Sequence, residues 1–224
     1  MSTFNFENDG IEIRKALLPP RDMEWVKSDI DLESVKLKKY GVRNLEKRFS
    51  SIAMLVRHDK LLSMAEKLLG GHVNFVRALF FDKTPEKNWS VAWHQDKTVT
   101  LNQHIELEGW GPWSMKDGVR HVQPPAAVLN KMVTFRVHLD SADETNGCLK
   151  VIPGTHKYGI LKQPEIDKIV RRKIAVPCVV EVGDAVVMRP HVLHSSCKAK
   201  QPSHRRVVHI EYSSHVLPAG ILWA

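Results

Sequence analysis

Gly70-Gly71-His72-Val73-Asn74-Phe75-Val76-Arg77-Ala78-Leu79-Phe80-Phe81 divides the chain into two textures. Upstream, between Asn44 and Leu69, the apolar residues Ile52, Leu55, Val56, Leu61, Leu62, Met64, Ala65, Leu68 and Leu69 recur at helical spacing, and the glycine pair reads as the C-cap. Downstream, short runs rich in Val, Phe, Trp and Thr are broken by Pro, Gly and Asn-Gly turns, which is all-β texture. Strands are expected over residues 73–81, 89–95, 132–139, 148–152, 178–182, 185–189 and 205–212. That number suits a double-sheet jelly roll with helices packed outside, a mainly β fold.

Toward the N-terminus, Ile11-Glu-Ile-Arg-Lys-Ala-Leu-Leu18 alternates like a short strand and is stopped by Pro19-Pro20, after which Arg21-Asp-Met-Glu-Trp-Val26 opens a helix. The expected organisation is one domain over 1–224: residues 1–72 supply a strand and helical support, and 73–215 form the jelly-roll core. No stretch reaches the roughly 20 apolar residues of a membrane-spanning helix, so a membrane partner is not expected. The first residues, Met1-Ser-Thr-Phe-Asn-Phe-Glu-Asn-Asp9, carry acids and lack the basic start and apolar run of a secretory signal, so a cytoplasmic location is expected. Cys148, Cys178 and Cys197 are odd in number and far apart, with no CxxC spacing, and read as reduced thiols. The net charge of +8 is spread along the chain, with small clusters at Lys36-Leu-Lys-Lys39 and Arg171-Arg-Lys173. Such a distribution is a basic face rather than a nucleic-acid arm. Two long connections stand out, 97–128 and 154–177; the second holds a basic helix candidate from Pro164 to Lys173, and the first reads as a lid.

The chemistry starts at Trp93-His94-Gln95-Asp96, where strand spacing points the imidazole and the carboxylate to one face. Far downstream, Val182-Gly-Asp184 turns into Ala-Val-Val-Met-Arg-Pro-His191-Val-Leu-His194-Ser-Ser196 and offers a second histidine on a late strand. Two His and one Asp make the facial triad that holds Fe(II) and leaves coordination positions open. A 2-oxo acid occupies two such positions and O2 the third, and its distal carboxylate calls for a planar, permanently charged donor. Arg205 and Arg206 both stand at a suitable distance beyond His194, with Arg205 on the alternation face of Val207, His209 and Glu211.

In these residues the chain resembles the phytanoyl-CoA dioxygenase family of iron and 2-oxoglutarate oxygenases, from about Gly10 to Tyr212. The resemblance is carried by Trp93-His-Gln-Asp96, by His138-Leu-Asp-Ser141 with Asn146-Gly-Cys-Leu-Lys-Val-Ile-Pro-Gly-Thr-His156, by Gly183-Asp184, and by His194-Ser-Ser196 with Arg205. It implies a double-stranded β-helix, cupin-like, and Fe(II), 2-oxoglutarate and O2 as cofactor and co-substrates. It also implies His94, Asp96 and His194 as metal ligands, with His191 the second choice for the last of them, and Arg205 with Ser196 as anchors of the 2-oxoglutarate carboxylate. Arg77, on the strand before the HxD strand, is a further cofactor-binding candidate, for the C1 carboxylate of 2-oxoglutarate or for an acidic substrate.

Thr134, Arg136 and His138 share one face of their strand, opposite Val133, Phe135, Val137 and Leu139. If that polar face points inward it lines the pocket, and with His209 these residues are the substrate candidates; otherwise it lies on an outer surface. Trp89, Trp93, Trp110 and Trp113 flank the ligand region and read as pocket wall or core, and His156 as a turn histidine. No catalytic group beyond the metal centre is expected. The function read from these residues is hydroxylation of an unactivated C–H of a small metabolite, with anionic ones among the candidates, and 2-oxoglutarate leaving as succinate and CO2. Asp96 is a carboxylate rather than a small residue, which leaves no vacancy for a halide and favours hydroxylation over halogenation. Two alternatives stand beside this: a zinc-dependent hydrolase or isomerase on the same fold, and a non-catalytic basic binding protein. Oligomeric state is not legible in the sequence.

Overall fold

The computed structural model describes residues 4–31 and 41–224. The basic cluster at Lys36–Lys39 and the first three residues of the chain lie outside the described residues.

A six-stranded antiparallel sheet forms the backbone of the fold, in the order β1 (Ile11–Arg14), β11 (Ala185–Met188), β8 (Met132–His138), β13 (Arg205–Ser213), β3 (Asn74–Lys83) and β2 (Gly41–Arg43). A four-stranded sheet faces it, in the order β10 (Val176–Pro177), β9 (Leu149–Ile152), β12 (Leu193–Ser196) and β4 (Val91–His94). Together they make the jelly roll expected from the strand texture.

Strand alternation divides the large sheet into two chemically different faces. Val133, Phe135 and Val137 of β8, Val208 and Ile210 of β13, Ala185 and Val187 of β11 and Ala78 and Phe80 of β3 point outward. They form one apolar core with α2 (Pro20–Asp31), α3 (Ser50–Leu55) and α4 (Asp59–Leu69), through Met23, Val26, Ile52, Leu61 and Ala65. Gly70 caps α4 in the left-handed conformation, as the glycine pair predicts. The single helical region predicted before it is two helices and a 3-10 turn.

The other face of the large sheet looks at the small one. At one end Ile11, Val186 and Met188 meet Leu149, Val151 and Val192 in a second apolar core. At the other end arginines and His209 join Leu79 and Phe81 on the inward face and enclose a cavity. On the outside of the small sheet, Ile152 and Leu193 are covered by Ile166 and Ile169 of α6 (Gln163–Arg172), with Trp93 packed beside them. Trp93 is therefore core, facing away from the cavity.

Two sequence expectations change. Residues 178–182 do not form a strand; pairing in that region is confined to β10 and an isolated bridge between Ala142 and Val180. Residues 97–128 are not an irregular loop but contain a small sheet, β5 (Val99–Leu101), β7 (Val119–Val122) and β6 (Trp113–Lys116), with α5 (Ala126–Leu129) after it. Val99, Leu101 and Val122 are buried against Leu217, Ile221 and Trp223 of the C-terminal segment, and this burial holds the small sheet in place. Trp110 and Trp113 belong to the same cluster and do not line the cavity. Among the described residues no helix is long and apolar enough to cross a membrane.

Gly183 and Asp184 tie the helical layer to the sheet. The Asp184 carboxylate accepts from the backbone N–H of Ala16 and Glu181 and from Lys15 Nζ, and Leu18 N–H donates to the Gly183 carbonyl. Gly183 has φ +82°, and a Cβ there would lie 2.4 Å from the Leu18 carbonyl oxygen. Gly183→Ala is therefore expected to destabilise the fold by at least about 1–3 kcal/mol, the typical cost of such backbone strain, measurable by urea denaturation.

Candidate metal centre and cofactor pocket

β4 and β12 lie side by side in the small sheet with His94 directly opposite His194, so strands distant in sequence bring two imidazoles together. Their ring centroids are 4.2 Å apart. Asp96 stands two residues past the end of β4, its backbone N–H donating to the Pro190 carbonyl at 2.8 Å, which turns its carboxylate back toward both rings. His94 Nε2 is 3.6 Å from one Asp96 oxygen and His194 Nε2 3.4 Å from the other. The three candidate ligand atoms all lie within 4.8 Å of one another.

Tautomers follow from the partners of the other ring nitrogens. His94 Nδ1–H donates to the Ala92 carbonyl and His194 Nδ1–H to that of Val192, each at 2.8 Å. Both Nε2 lone pairs are thereby left for a metal, the arrangement that neighbouring backbone groups normally impose on metal-binding histidines. Burial pushes His194 below the ordinary histidine value despite the nearby Asp96, which favours the neutral ligand form. Burial alone would raise Asp96, but the His194 and His94 imidazoles hold its carboxyl well below the usual carboxylate range. Burial lowers His94, but the adjoining Asp96 outweighs it and raises His94 above the ordinary histidine value, a proton that a bound metal would displace. Two imidazoles and one carboxylate, with a cavity on the open side, fit a divalent iron. His191, the second choice, is buried and turned toward His156, with ring centroids 6.2 Å apart, and does not join the cluster.

The cavity beside the triad has a volume of about 610 Å3 including its open mouth. From the large sheet it is lined by Arg77, Leu79, Phe81, Arg136, Arg205 and His209. The small sheet contributes Leu149, Ser195 and Ser196 together with the histidines. Thus the sequence candidates Arg205, Ser196, Arg77, Arg136 and His209 converge on one cavity with His94, Asp96 and His194. Thr134 and His138 do not line it. They share the inward face, where Thr134 stands beside Glu211 and His138 beside Val207 of β13; Thr134 and His138 are both buried, and Thr134 Oγ1 has no hydrogen-bond partner among the described residues. Burial, reinforced by Arg136 and Arg205, holds His138 well below the ordinary histidine value, so it is a neutral packed ring.

The cations of the pocket differ in their commitments. Arg77 donates to Glu211 at 2.7 Å, a carboxylate with no exposed surface, and its other Nη stands 3.4 Å from His121 of β7. Burial would raise Glu211, but Arg77 holds it ionised below the usual range. Arg77 is therefore already matched by a fixed anion, which weakens its reading as a cofactor ligand. Arg136 donates to His209 Nδ1 at 3.1 Å, and His209 Nε2–H in turn donates to Glu211 at 3.0 Å. Arg136 has no carboxylate partner among the described residues, and Phe81 lies under its guanidinium at 5.6 Å.

Arg205 is 2% exposed, and its Nε and Nη1 have no partner among the described residues. Burial, with repulsion from Arg136, pushes it down to about 10. An orphaned buried guanidinium has a large desolvation penalty unless an anion arrives, so this corner of the pocket is built for a carboxylate. Arg206, the other sequence candidate, points away and is paired with Asp140.

Of the four tryptophans read as pocket wall or core, Trp89 lines the cavity. Sequence reasoning missed Lys83, which is buried beside Arg205 and Ser196, and Phe81 as cavity wall. The signal was available: Arg77, Leu79, Phe81 and Lys83 form one alternation series, but the predicted strand ended at residue 81.

The geometry agrees with comparison to known proteins. The family model for phytanoyl-CoA dioxygenase matches residues 12–207. The L-proline trans-4-hydroxylase of Streptomyces griseoviridis is 26% identical over 187 residues, covering 72% of this chain and 62% of the relative. The alignments to the curated relatives span between 29% and 62% of those proteins' own lengths. Among solved structures, AviO1 from Streptomyces viridochromogenes Tue57 superposes with a TM-score of 0.72 at 23% identity, over 95% of this chain and 93% of that one. HygX from Streptomyces hygroscopicus, solved with nickel and 2-oxoglutarate bound, superposes with a TM-score of 0.65 at 15% identity, over 93% of this chain and 83% of that one. At these identities the structural likeness speaks to the fold.

Proposed function

The chain belongs to the phytanoyl-CoA dioxygenase family of Fe(II)- and 2-oxoglutarate-dependent oxygenases, and from that premise we propose that it hydroxylates an unactivated C–H bond of a small anionic metabolite, releasing succinate and CO2. The observation that carries the reading is the pairing of the His94–Asp96–His194 cluster with an unpartnered buried guanidinium, Arg205, across one cavity.

In this reading His94, Asp96 and His194 hold Fe(II), which supplies O2 activation coupled to oxidation of the co-substrate. The protein's own task is positioning. Arg205 and Ser196 take the distal carboxylate of 2-oxoglutarate and set its 2-oxo acid end toward the triad. The Ala92 and Val192 carbonyls keep the imidazoles oriented. His121 of β7 touches Arg77, one of the residues lining the cavity. A zinc hydrolase would use the same three ligands but would leave Arg205 and Ser196 without an anion to hold.

Substrate charge is read from Arg136. Arg77 is neutralised by Glu211, and Arg205 by the co-substrate, so Arg136 is left as a buried cation facing the cavity, 7% exposed. A substrate carboxylate or comparable anion would complete it. The similarity to an enzyme named for L-proline hydroxylation supports a small carboxylate.

A panel of small carboxylates and matched neutral analogues should be tested for stimulation of Fe(II)-dependent succinate formation. Carboxylates are expected to stimulate, and Arg136→Met to raise their KM about ten- to a hundredfold, the weight of one charge-assisted hydrogen bond, with a much smaller change in the KM for 2-oxoglutarate. Stimulation by the neutral analogues alone, or carboxylate KM values untouched by Arg136→Met, would remove the anionic-substrate reading.

A further inference from the structure

Lys83 lies at the end of β3 directly across from Arg205 in the β3–β13 register and is 1% exposed. Its ammonium donates to Ser196 Oγ at 3.2 Å and to the Cys197 carbonyl. Trp89 covers it, with the ammonium 5.7 Å from the ring centre. The approach depends on Gly147, whose φ is +78° and where a Cβ would lie 2.6 Å from the Cys197 oxygen and 3.2 Å from Lys83 Nζ. Any side chain at 147 would occupy the space in which the ammonium meets that carbonyl. Burial and the neighbouring Arg205 push the amine down to about 8, a strain that an arriving carboxylate relieves.

Hydrogen-bond direction gives this contact a consequence. An ammonium has only donors, so Ser196 Oγ must be the acceptor, and the serine proton is directed elsewhere. Among the described residues no acceptor takes that proton, while Ser196 lines the cavity beside Arg205. We propose that Lys83 is a positioning residue: by donating to Ser196 Oγ it turns the serine hydroxyl proton into the pocket, so that Ser196 and Arg205 present convergent donors to the distal carboxylate of 2-oxoglutarate. The inference rests on the reading that this corner takes that carboxylate.

The test is calorimetric binding to Mn(II)-loaded protein without turnover, comparing 2-oxoglutarate with 2-oxobutanoate, which keeps the 2-oxo acid end and lacks the distal carboxylate. Lys83→Met is expected to weaken 2-oxoglutarate about tenfold or more and to leave 2-oxobutanoate nearly unchanged. Ser196→Ala is expected to do the same. The double variant is expected to bind about as the weaker single one does, because one residue acts through the other. Lys83→Gln, which keeps a donor, is expected to show a smaller but still selective loss, and it carries the test if the methionine variant does not fold. Equal losses for the two ligands, additive losses in the double variant, or no loss at all would overturn the role of Lys83. Failure of the wild-type protein to bind 2-oxoglutarate would instead overturn the function proposed above.

Discussion

Asp96→Ala is expected to abolish iron-dependent 2-oxoglutarate turnover, reducing it to the level of metal-free protein. The carboxylate is the group that both imidazoles face, at 3.6 and 3.4 Å, and without it two histidines are left to hold the metal. A binding readout separates this loss from misfolding. A metal at a hundred times its Kd stabilises the native state by about 2.7 kcal/mol, and for a chain of this size each kcal/mol moves Tm by roughly 2–4 °C. Divalent metal should therefore raise the Tm of the wild type by several degrees under anaerobic conditions and leave that of Asp96→Ala unchanged. An Asp96→Ala protein that still forms succinate, or that melts with the same metal response as the wild type, would show that the ion sits elsewhere.

Arg205→Met should produce two large effects of opposite sign. Loss of one partner of a buried charge pair costs about 2–5 kcal/mol, so affinity for 2-oxoglutarate is expected to fall roughly thirtyfold to several thousandfold. In the ligand-free protein the same substitution removes an unpaired buried cation. Depression of the guanidinium from its ordinary value to about 10 corresponds to about 3 kcal/mol of destabilisation at neutral pH. The sign follows from a buried cation whose folded value lies below its unfolded one: the penalty is present at every pH below about 10 and fades only as pH rises through it. Arg205→Met should therefore melt several degrees higher than the wild type without ligand, by a margin that stays constant from pH 6 to 8, while binding 2-oxoglutarate far more weakly. Arg205→Lys is not expected to restore binding, because a point ammonium does not reproduce the bidentate fork. A lower Tm together with unchanged 2-oxoglutarate affinity would identify Arg205 as a structural residue.

These contrasts bear on how much the amino-acid sequence reveals. The jelly roll was legible because strands with one polar and one apolar face repeat along the second half, as in Thr134-Phe135-Arg136-Val137-His138, where each inward polar residue alternates with an outward core residue. The candidate cluster was legible because His94 and Asp96 are close in sequence and the motif resemblance selects His194 over His191, and the fold brings these three together. Alternation alone left both Arg205 and Arg206 open and the motif resemblance pointed to Arg205; the fold agrees in pairing Arg206 with Asp140 on the far face. The commitment of Arg77 was hidden for a similar reason. Its partner Glu211 is more than a hundred residues away, and only the β3–β13 register makes them neighbours.

The small sheet within 97–128 had a local signal that went unread. Asp117-Gly118 joins Lys116 to Val119, and both central residues have positive φ, the two-residue turn that favours hairpins. β6 is mostly exposed and β7 mixes exposed Arg120 with buried His121 and Val122, so the alternation that marks the main strands is weak there. Lys83 lay two residues beyond a strand end drawn from hydrophobicity alone, where a charged residue signals a boundary unless tertiary partners are known. Register and burial, which depend on the whole chain, decide such residues.

The measurement that bears most directly on the whole account is succinate formation from 2-oxoglutarate by the purified protein with Fe(II) and ascorbate, in the presence and absence of oxygen. Succinate is expected only when both iron and oxygen are present, even without the true substrate, at a rate lost in Asp96→Ala. An absence of both succinate and iron-dependent 2-oxoglutarate binding in the wild-type protein would contradict it.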